Sequence, residues 1–209
     1  MAVRKIDMSQ HPRKDHFDYF RNMINPYVGI TANCDITSLR AYTQRTGAPF
    51  FLTLLHCAVN AANAVPELRR RIEGDRVVEY EYCISSHTVA LPDDTYCYCE
   101  LDCRPSLEEF LPYALREVEK AKSCPNVKDD ENVNMLLFVS SVPWLSFTGL
   151  HHPSAFPADS NPRITFGKFF SQEEKVLLPV DLTAHHALVD GLHIARFFKE
   201  LDARIAMLK

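Results

Sequence analysis

Apolar residues recur along this chain with two spacings, one typical of helices and the other typical of strands. The helical spacing predicts five helices: residues 12–23, a second from Asp35 or Thr37 to the Thr46-Gly47 stop, and residues 49–65, 106–122 and 192–208. The segment 49–65 is apolar almost all round, which predicts a buried helix. Ser106 and Glu109 have the spacing of a capping box, and Pro112 predicts an irregular first turn in the same helix.

Strand-like runs alternate irregularly with these helices. They predict strands over residues 76–91, 95–101, 135–147, 163–170 and 175–186. The run 135–147 is continuously apolar, so it should lie centrally in a sheet. The last two runs flank a polar Ser-Gln-Glu-Glu segment, which predicts a long hairpin. The fold class expected from this order is α/β (α+β), a mixed sheet covered by helices in one domain over residues 1–209.

Length and charge then limit the classes of function. The 209 residues are 46 % hydrophobic, enough to bury a sizeable core. The net charge of −4 is spread along the chain without a basic stripe, so nucleic acid is not an expected partner. The N-terminus has no signal-like apolar core, and no stretch has membrane-spanning length. These features predict a cytoplasmic protein without a membrane partner.

Seven cysteines are scattered through the chain, an odd number that favours reduced, packed thiols over a disulfide framework. The cluster YCYCELDC contains Cys97, Cys99 and Cys103. Cys97 and Cys99 would share one face of a strand, but this spacing matches no standard zinc pattern. Packed thiols are therefore the preferred interpretation, and a structural metal is the alternative.

The segment LTAHHALVDGLHIARFF ends an apolar strand on His185 and His186 and places Asp190 before the last helix. Successive strand side chains point to opposite faces, so only one of the two histidines can face a given cleft. One interpretation is structural, with Asp190 as a helix cap. A second is a metal triad of His186, Asp190 and His193, which the intervening glycine and the strand pattern disfavour. A third is proton chemistry by histidine near neutral pH.

The stretch HHALVDGLHIARFF resembles the His-His-x-x-x-Asp-Gly signature of the type A chloramphenicol acetyltransferases. A looser form occurs in dihydrolipoyl acyltransferases and in peptide-synthetase condensation domains. PRKDHFDYF, CDITSL, VPWLSF, ITFGKFF and KVLLPV are similar to the acetyltransferase pattern in the same order. The resemblance covers nearly the whole chain. It implies a two-layer sandwich of the CoA-dependent acyltransferase fold, acetyl-CoA as cosubstrate, no metal, and a homotrimer with active sites between subunits.

The resemblance also implies roles for individual residues. His186 corresponds to the general base, Ser140 to the residue that stabilises the oxyanion, and Thr165 to a threonine that orients a water. Asp190 and Arg13 correspond to a supporting pair that holds the turn bearing the base. General base catalysis by a positioned imidazole is worth about 10²–10⁴-fold in rate.

The acceptor or CoA pocket is implied for a further set of residues: Phe20, Arg163, Lys168, Trp144 and Phe169. Arg163 falls where the family has an apolar pocket residue. A buried guanidinium is costly unless it is paired, and it could instead bind a carboxylate or phosphate of the acceptor. Lys168 is the candidate for contact with CoA.

The expected function is acetyl transfer from acetyl-CoA to a hydroxyl of chloramphenicol. One alternative is the same chemistry on a different alcohol or thiol, including an anionic acceptor; another is a catalytically silent binding protein. Ser141 should point to the strand face opposite to Ser140. His185 is expected to be structural, and the pair His151-His152 has no assigned role.

Overall fold

The computed structural model describes residues 3–128, 132–153 and 155–208. The helices in these ranges are α1 Lys14–Phe20, α2 Thr37–Thr46, α3 Phe50–Asn63, α4 Leu107–Ser123 and α5 Gly191–Ala206. The strands are β1 Val3–Ile6, β2 Tyr27–Asp35, β3 Arg70–Glu73, β4 Arg76–Tyr80, β5 Ile84–Ala90, β6 Tyr96–Leu101, β7 Leu136–Ser141, β8 Arg163–Phe166, β9 Phe170–Gln172 and β10 Lys175–His185. This is the predicted α/β mixture of helices and strands.

A mixed sheet of seven strands dominates the described chain, in the order β2-β10-β8-β7-β5-β6, with β9 paired to the first residues of β10. Strand β10 runs antiparallel to both β2 and β8. Strand β7 runs parallel to both β5 and β8. The prediction that the run containing β7 is central is therefore confirmed. A smaller antiparallel sheet has the order β1-β4-β3.

The two faces of the large sheet carry different side chains, because neighbours along a strand point to opposite faces. On β10 the residues that join the apolar core are Leu178, Val180, Leu182 and Ala184. Helices α2, α4 and α5 contact the sheet on this side, which we call the helical face. The alternate residues Asp181 and Thr183 point to the other side, the polar face, where they line a cavity together with residues 148–153.

The helices follow the predicted patterns closely. Nine of the 14 residues of α3 are buried, as its all-round apolar pattern predicted. Helix α5 buries its apolar stripe, and α4 begins with the Ser106–Glu109 capping box. The irregular first turn predicted from Pro112 was wrong, since α4 is helical from Leu107 onward. Pro112 cannot donate to the carbonyl of Glu108, but Glu108 is exposed near the helix start, where water can replace that bond.

Several strands differ from the sequence prediction. Strands β1, β2 and β3 were not predicted, and the run 76–91 divides at residues 81–83 into β4 and β5, which belong to different sheets. The run 135–147 ends as a strand at Ser141, because Pro143 cannot donate a ladder hydrogen bond. The run 163–170 likewise breaks at residues 167–169 between β8 and β9.

All seven cysteines are free thiols; Cys124 is exposed and the other six are buried. Within the described ranges, no group of three histidine, cysteine or acidic side chains is arranged to hold a metal ion. Among the helices of the described residues, none combines the length and apolar character needed to cross a bilayer.

Candidate active site

The turn between β10 and α5 positions the second histidine of the pair. The Nδ1 atom of His186 lies 2.9 Å from the main-chain oxygen of Val189. A carbonyl oxygen can only accept, so Nδ1 carries the hydrogen and Nε2 of the neutral ring carries the lone pair. The ring also stacks on Phe20, with centroids 3.9 Å apart. The imidazole is therefore fixed in orientation, and in its neutral form the lone pair lies on Nε2.

Arg13 and Asp190 stabilise this turn. The Arg13 guanidinium forms an ion pair with Asp190, and its Nη2 atom donates to the main-chain oxygen of His186 at 3.3 Å. Asp190 is also the N-cap of α5, where it accepts from the backbone nitrogen of Leu192 at 3.1 Å. Burial raises the pKa of Asp190, but the Arg13 hydrogen bond and the charges of His193 and Arg13 together hold it below its ordinary value. The supporting role of this pair stays a prediction.

The neighbouring histidines are held by main-chain groups. His185 is buried, accepts a hydrogen bond at Nδ1 from the backbone of Ala187 at 3.3 Å, and packs edge-on against Tyr27. Burial lowers the pKa of His185 to about 4, so its ring is neutral at physiological pH. His193 accepts from the backbone nitrogen of Asp190 at 3.1 Å. This geometry agrees with structural positions for both and does not form the metal triad considered above.

A continuous row of polar residues crosses the polar face. Strand register places Thr31 opposite Asp181, Asp181 opposite Thr165, and Thr165 opposite Ser140. The hydroxyls of Thr165 and Ser140 lie 2.8 Å apart. The Asp181 carboxylate accepts from the hydroxyls of Thr31 and Thr183 at 2.8 and 2.9 Å. The two hydroxyls implied by the resemblance are thus hydrogen-bonded neighbours at one end of a row of polar residues that strand register places side by side.

His152 contacts this row from the irregular stretch of residues 148–153. Its Nε2 atom lies 3.3 Å from the Thr165 hydroxyl and 3.8 Å from an oxygen of Asp181. Burial lowers the pKa of His152, the negative charge of Asp181 raises it, and the positive charge of Arg163 lowers it, for a net decrease. A mostly neutral imidazole therefore sits between a buried carboxylate and a buried hydroxyl.

Two adjoining cavities open on the polar face. The first has a volume of about 600 Å³ and is lined in part by Asp181 and Thr183. The second has a volume of about 570 Å³ and is lined in part by Ser140. His152 and Arg163 line both. Together with Pro153, these two polar side chains therefore form the wall that the cavities share.

Arg163 is already paired inside the protein. Asp159 accepts from both terminal nitrogens of its guanidinium, at 3.0 and 2.5 Å, and the group lies over the rings of Tyr27 and Phe138. Burial lowers the pKa of Arg163, but the hydrogen bonds and charge of Asp159 raise it by more. Asp159 already neutralises the charge of Arg163, and the binding of an acceptor carboxylate or phosphate by Arg163 stays a prediction.

His186 and Ser140 lie far apart within one chain. Asp181, which is opposite Thr165 in the register, comes five residues before His186, which is about 16 Å along the strand. Among the described residues, no hydrogen bond joins His186 to Ser140 or to Thr165. Proton transfer needs heavy atoms about 3 Å apart or one bridging water, so a single chain does not bring the base to the hydroxyl row.

A family model described as Chloramphenicol acetyltransferase matches residues 1–202. The chain belongs to the chloramphenicol acetyltransferase family. It is 30 % identical over 206 residues to chloramphenicol acetyltransferase 2 of Escherichia coli, covering 97 % of this chain and 96 % of that protein. It is 29 % identical over 208 residues to the chloramphenicol acetyltransferase of Clostridium perfringens, covering 96 % of this chain and 93 % of the relative.

Solved structures agree with the family assignment. A chloramphenicol acetyltransferase structure superposes with a TM-score of 0.83 at 26 % identity, covering 100 % of both chains. The cubic core of the pyruvate dehydrogenase multienzyme complex shares the fold, with a TM-score of 0.67 at 20 % identity over 90 % of this chain and 85 % of that chain. The predicted fold class, the family and the acetyltransferase class of enzyme are confirmed.

The pocket residues implied for this acetyltransferase occupy different places. Phe20 stacks on His186, and Arg163 lines the cavities. Lys168 and Trp144 are exposed, and Phe169 lies beneath the Arg40 guanidinium at 4.6 Å. Lys168, Trp144 and Phe169 line neither of the two cavities, and their place in the acceptor or CoA pocket stays a prediction.

Two residues that lie beside Thr165 in the structure, His152 and Asp181, were not singled out from the sequence. His152 lies in a stretch without helical or strand periodicity, so nothing local indicates where its side chain points. Asp181 did leave a signal, because an acidic residue inside the apolar run KVLLPVDLTA is unusual. In the structure, this residue lies opposite Thr165 on the neighbouring strand and is part of the buried polar row.

Proposed function

We propose that this chain transfers the acetyl group of acetyl-CoA to a hydroxyl of chloramphenicol, with His186 as the general base. The observation that carries the proposal is the hydrogen bond from Nδ1 of His186 to the oxygen of Val189. It leaves Nε2 with the lone pair that a base needs. The names and whole-length similarity of the curated relatives support the substrate pair.

The proposed step requires no covalent enzyme intermediate. Nε2 of His186 removes the acceptor's hydroxyl proton while the oxygen attacks the thioester carbon, which forms the new C–O bond and moves an electron pair onto the carbonyl oxygen. The Ser140 hydroxyl donates to that oxyanion. Collapse of the intermediate breaks the C–S bond, and the proton on Nε2 passes to the CoA sulfur. The products are an acetyl ester and free CoA.

The proposal includes a homotrimer in which His186 of one chain meets Ser140 and the cavities of the next. The separation of about 16 Å along β10 supports this arrangement, because a second copy can supply what one chain keeps apart. Arg13 and Asp190 hold the base in place on its own chain. We also propose that the whole chain acts as one acetyltransferase domain in the cytoplasm, where seven free thiols are stable.

A polar alcohol is the second candidate acceptor. The wall shared by the two cavities contains His152 and Arg163, and Arg163 forms an ion pair with Asp159 in the second cavity, whereas a nitrophenyl ring favours apolar contact. Because Asp159 neutralises Arg163, this observation favours a neutral hydroxylated acceptor over an anionic one.

Release of the CoA thiol tests the acceptor and the base together. At a fixed acetyl-CoA concentration, release is measured with chloramphenicol, with neutral polyols and with anionic alcohols, for the wild type and His186→Ala. We expect release that requires chloramphenicol and falls at least about 10³-fold in the variant. Release with a polyol alone replaces the acceptor by the second candidate. Turnover retained in His186→Ala overturns the base assignment.

Mixed trimers test the shared site. His186→Ala and Ser140→Ala chains are unfolded together in equal amounts and refolded. Each mixed ring contains one interface with an intact His186 and an intact Ser140, so about a quarter of the wild-type activity should return. The same chains mixed after folding are the control and should stay inactive. No recovery after joint refolding contradicts a site built from two copies.

A further inference from the structure

Asp181 is a buried carboxylate in the middle of an apolar strand, with its side chain 3 % exposed. It accepts two hydroxyl hydrogen bonds, from Thr31 and Thr183. Within the described residues, the basic group at ion-pair distance from it is Nε2 of His152, at 3.8 Å. A buried negative charge attracts an N–H and repels a lone pair. Asp181 therefore favours the tautomer of His152 that carries its hydrogen on Nε2.

The direction of donation along the row follows from this tautomer. A hydroxyl donates one hydrogen bond and can accept others. If Ser140 donates to an oxyanion, its oxygen must accept from the Thr165 hydroxyl, 2.8 Å away. Thr165 then has no second hydrogen to give, so His152 Nε2, 3.3 Å away, must be a donor to it. With the lone pair on Nε2, Thr165 would donate to His152 and Ser140 would donate to Thr165. The Ser140 hydrogen would then point into the protein.

We propose that His152 is a positioning residue: its Nε2–H orients the Thr165 hydroxyl, which orients the Ser140 hydrogen toward the site of the oxyanion, while Asp181 keeps the hydrogen on Nε2. The inference rests on the proposed function, because it gives a direction to the donor assigned there to Ser140. His152 acts through two hydroxyls and requires no contact with the reacting atoms. The geometry that carries it is an unbroken series of neighbours across β10, β8 and β7.

The tautomer is testable without turnover. Nitrogen-15 NMR of histidine-labelled protein distinguishes a protonated from an unprotonated ring nitrogen, and His152→Gln identifies the signals of His152. We expect a hydrogen on Nε2 in the wild type and a mixture of tautomers in Asp181→Asn, whose amide lacks the negative charge. A lone pair on Nε2 in the wild type overturns the proposal, whatever the acceptor proves to be.

Two substitutions at residue 152 separate orientation from packing. His152→Leu fills similar space but has no donor, whereas the side-chain amide of His152→Gln can still donate to Thr165. We expect kcat to fall about tenfold in the leucine variant and to stay within about twofold in the glutamine variant. The KM for acetyl-CoA should change little in both. His16→Leu, a change at an exposed histidine of α1, is the control.

A double-mutant cycle with Ser140→Ala completes the test. Without the Ser140 hydroxyl there is nothing for His152 to orient, so adding His152→Leu should reduce kcat by less than about twofold further. A further tenfold loss in that background, or equal losses for leucine and glutamine, overturns the positioning role. A failure of the proposed function differs from both results, because it abolishes wild-type CoA release while the NMR result stands.

Discussion

The two faces of the large sheet belong to the same strands, but different interactions stabilise the buried side chains on each face. On β10, Val180 and Leu182 are fully buried among apolar side chains of the helical face. One residue away, Asp181 is 2 % exposed on the polar face and is surrounded by hydroxyls. Apolar contact satisfies one face and hydrogen bonds satisfy the other.

This difference indicates what fixes the positions of the hydroxyl groups of the candidate site. Thr165 lies beside Ile164, and Ser140 lies beside Val139, and in each pair the apolar partner is packed in the core. A strand cannot shift on one face without shifting on the other. The packing of the helical face therefore sets the positions of the hydroxyls on the polar face.

The largest expected effect tests whether the helical face carries the stability. Leu182→Ala should lower the free energy of unfolding by about 2–5 kcal/mol, because it leaves a cavity in the core. Urea denaturation measures the change. The matched control is Thr183→Val, the next residue on the opposite face, with an expected loss of about 1.5 kcal/mol for one hydrogen bond to the Asp181 carboxylate. Equal losses from the two substitutions would remove the distinction between the faces.

The next effect tests whether the polar face carries the chemistry. Ser140→Ala should lower kcat about 10²-fold while the urea midpoint changes little, since one oxyanion donor is lost. Its matched control is Ser141→Ala, because Ser141 lines a shallow cavity on the helical face with Phe51 and His87. Steady-state kinetics of both variants decide the matter. An effect of Ser141→Ala as large as that of Ser140→Ala would sink the assignment.

A third prediction compares the two faces through the pH dependence of stability, because a buried histidine with a strongly lowered pKa lies on each face. Burial lowers the pKa of His87 to about 4 on the helical face, and that of His185 to about 4 on the polar face. Near pH 5 the unfolded chain binds a proton at each position and the folded chain does not, so acid favours unfolding. Stability should be full above about pH 6.5 and decline toward pH 4, by about 2 kcal/mol per histidine between pH 7 and 5.

Substitution of one histidine separates the two contributions. His87→Leu should remove about 2 kcal/mol of the acid-induced loss, and the other histidines with lowered pKa values, including His185 and His152, should account for the remainder. Urea unfolding at pH 7 and pH 5 gives the comparison. If His87→Leu shows the same loss as the wild type, burial of His87 is not a source of acid sensitivity.

The smallest effect concerns the end of β10, where the two faces meet the turn. Arg13→Gln should cost about 1 kcal/mol of stability at neutral pH by removing the ion pair with Asp190. The lowered pKa of Asp190 means that this contribution is present above about pH 4 and is lost as the pH falls through the folded value. Wild type and variant should therefore converge once the pH is below the folded pKa of Asp190, which itself lies below the ordinary value of an aspartate. A constant difference between them at neutral pH and below that pKa contradicts the role of the charge.

The sequence predicted best the features that depend on neighbouring residues in the chain, such as the ends of helices. Helix α2 ends at Gly47, whose φ of +72° is a left-handed conformation that glycine adopts easily, and α4 begins with its capping box. Strand β2 was missed because it is an edge strand whose segment YVGITANCD mixes glycine, asparagine and an Ile30 that is 39 % exposed. Only its pairing with β10 makes it a strand, and that pairing is a tertiary contact.

The candidate site divides in the same way. His186, Asp190 and the turn between them form one local signature, whereas Ser140 and Thr165 came only from the resemblance to a family. His152 reaches the row from an irregular segment, and only the folded chain brings it within 3.3 Å of Thr165. The partner of Arg163 was missed for the same reason, since Asp159 lies in a stretch with no regular pattern.

The oxygen that accepts from His186 belongs to the main chain of Val189. Every amino acid that could replace Val189 brings the same carbonyl oxygen, so no codon change at that position deletes the acceptor. The tautomer of the neutral His186 ring is therefore set by the conformation of the backbone between β10 and α5. Substitutions at residue 189 can therefore change the side chain while the lone pair of the neutral His186 ring stays on Nε2.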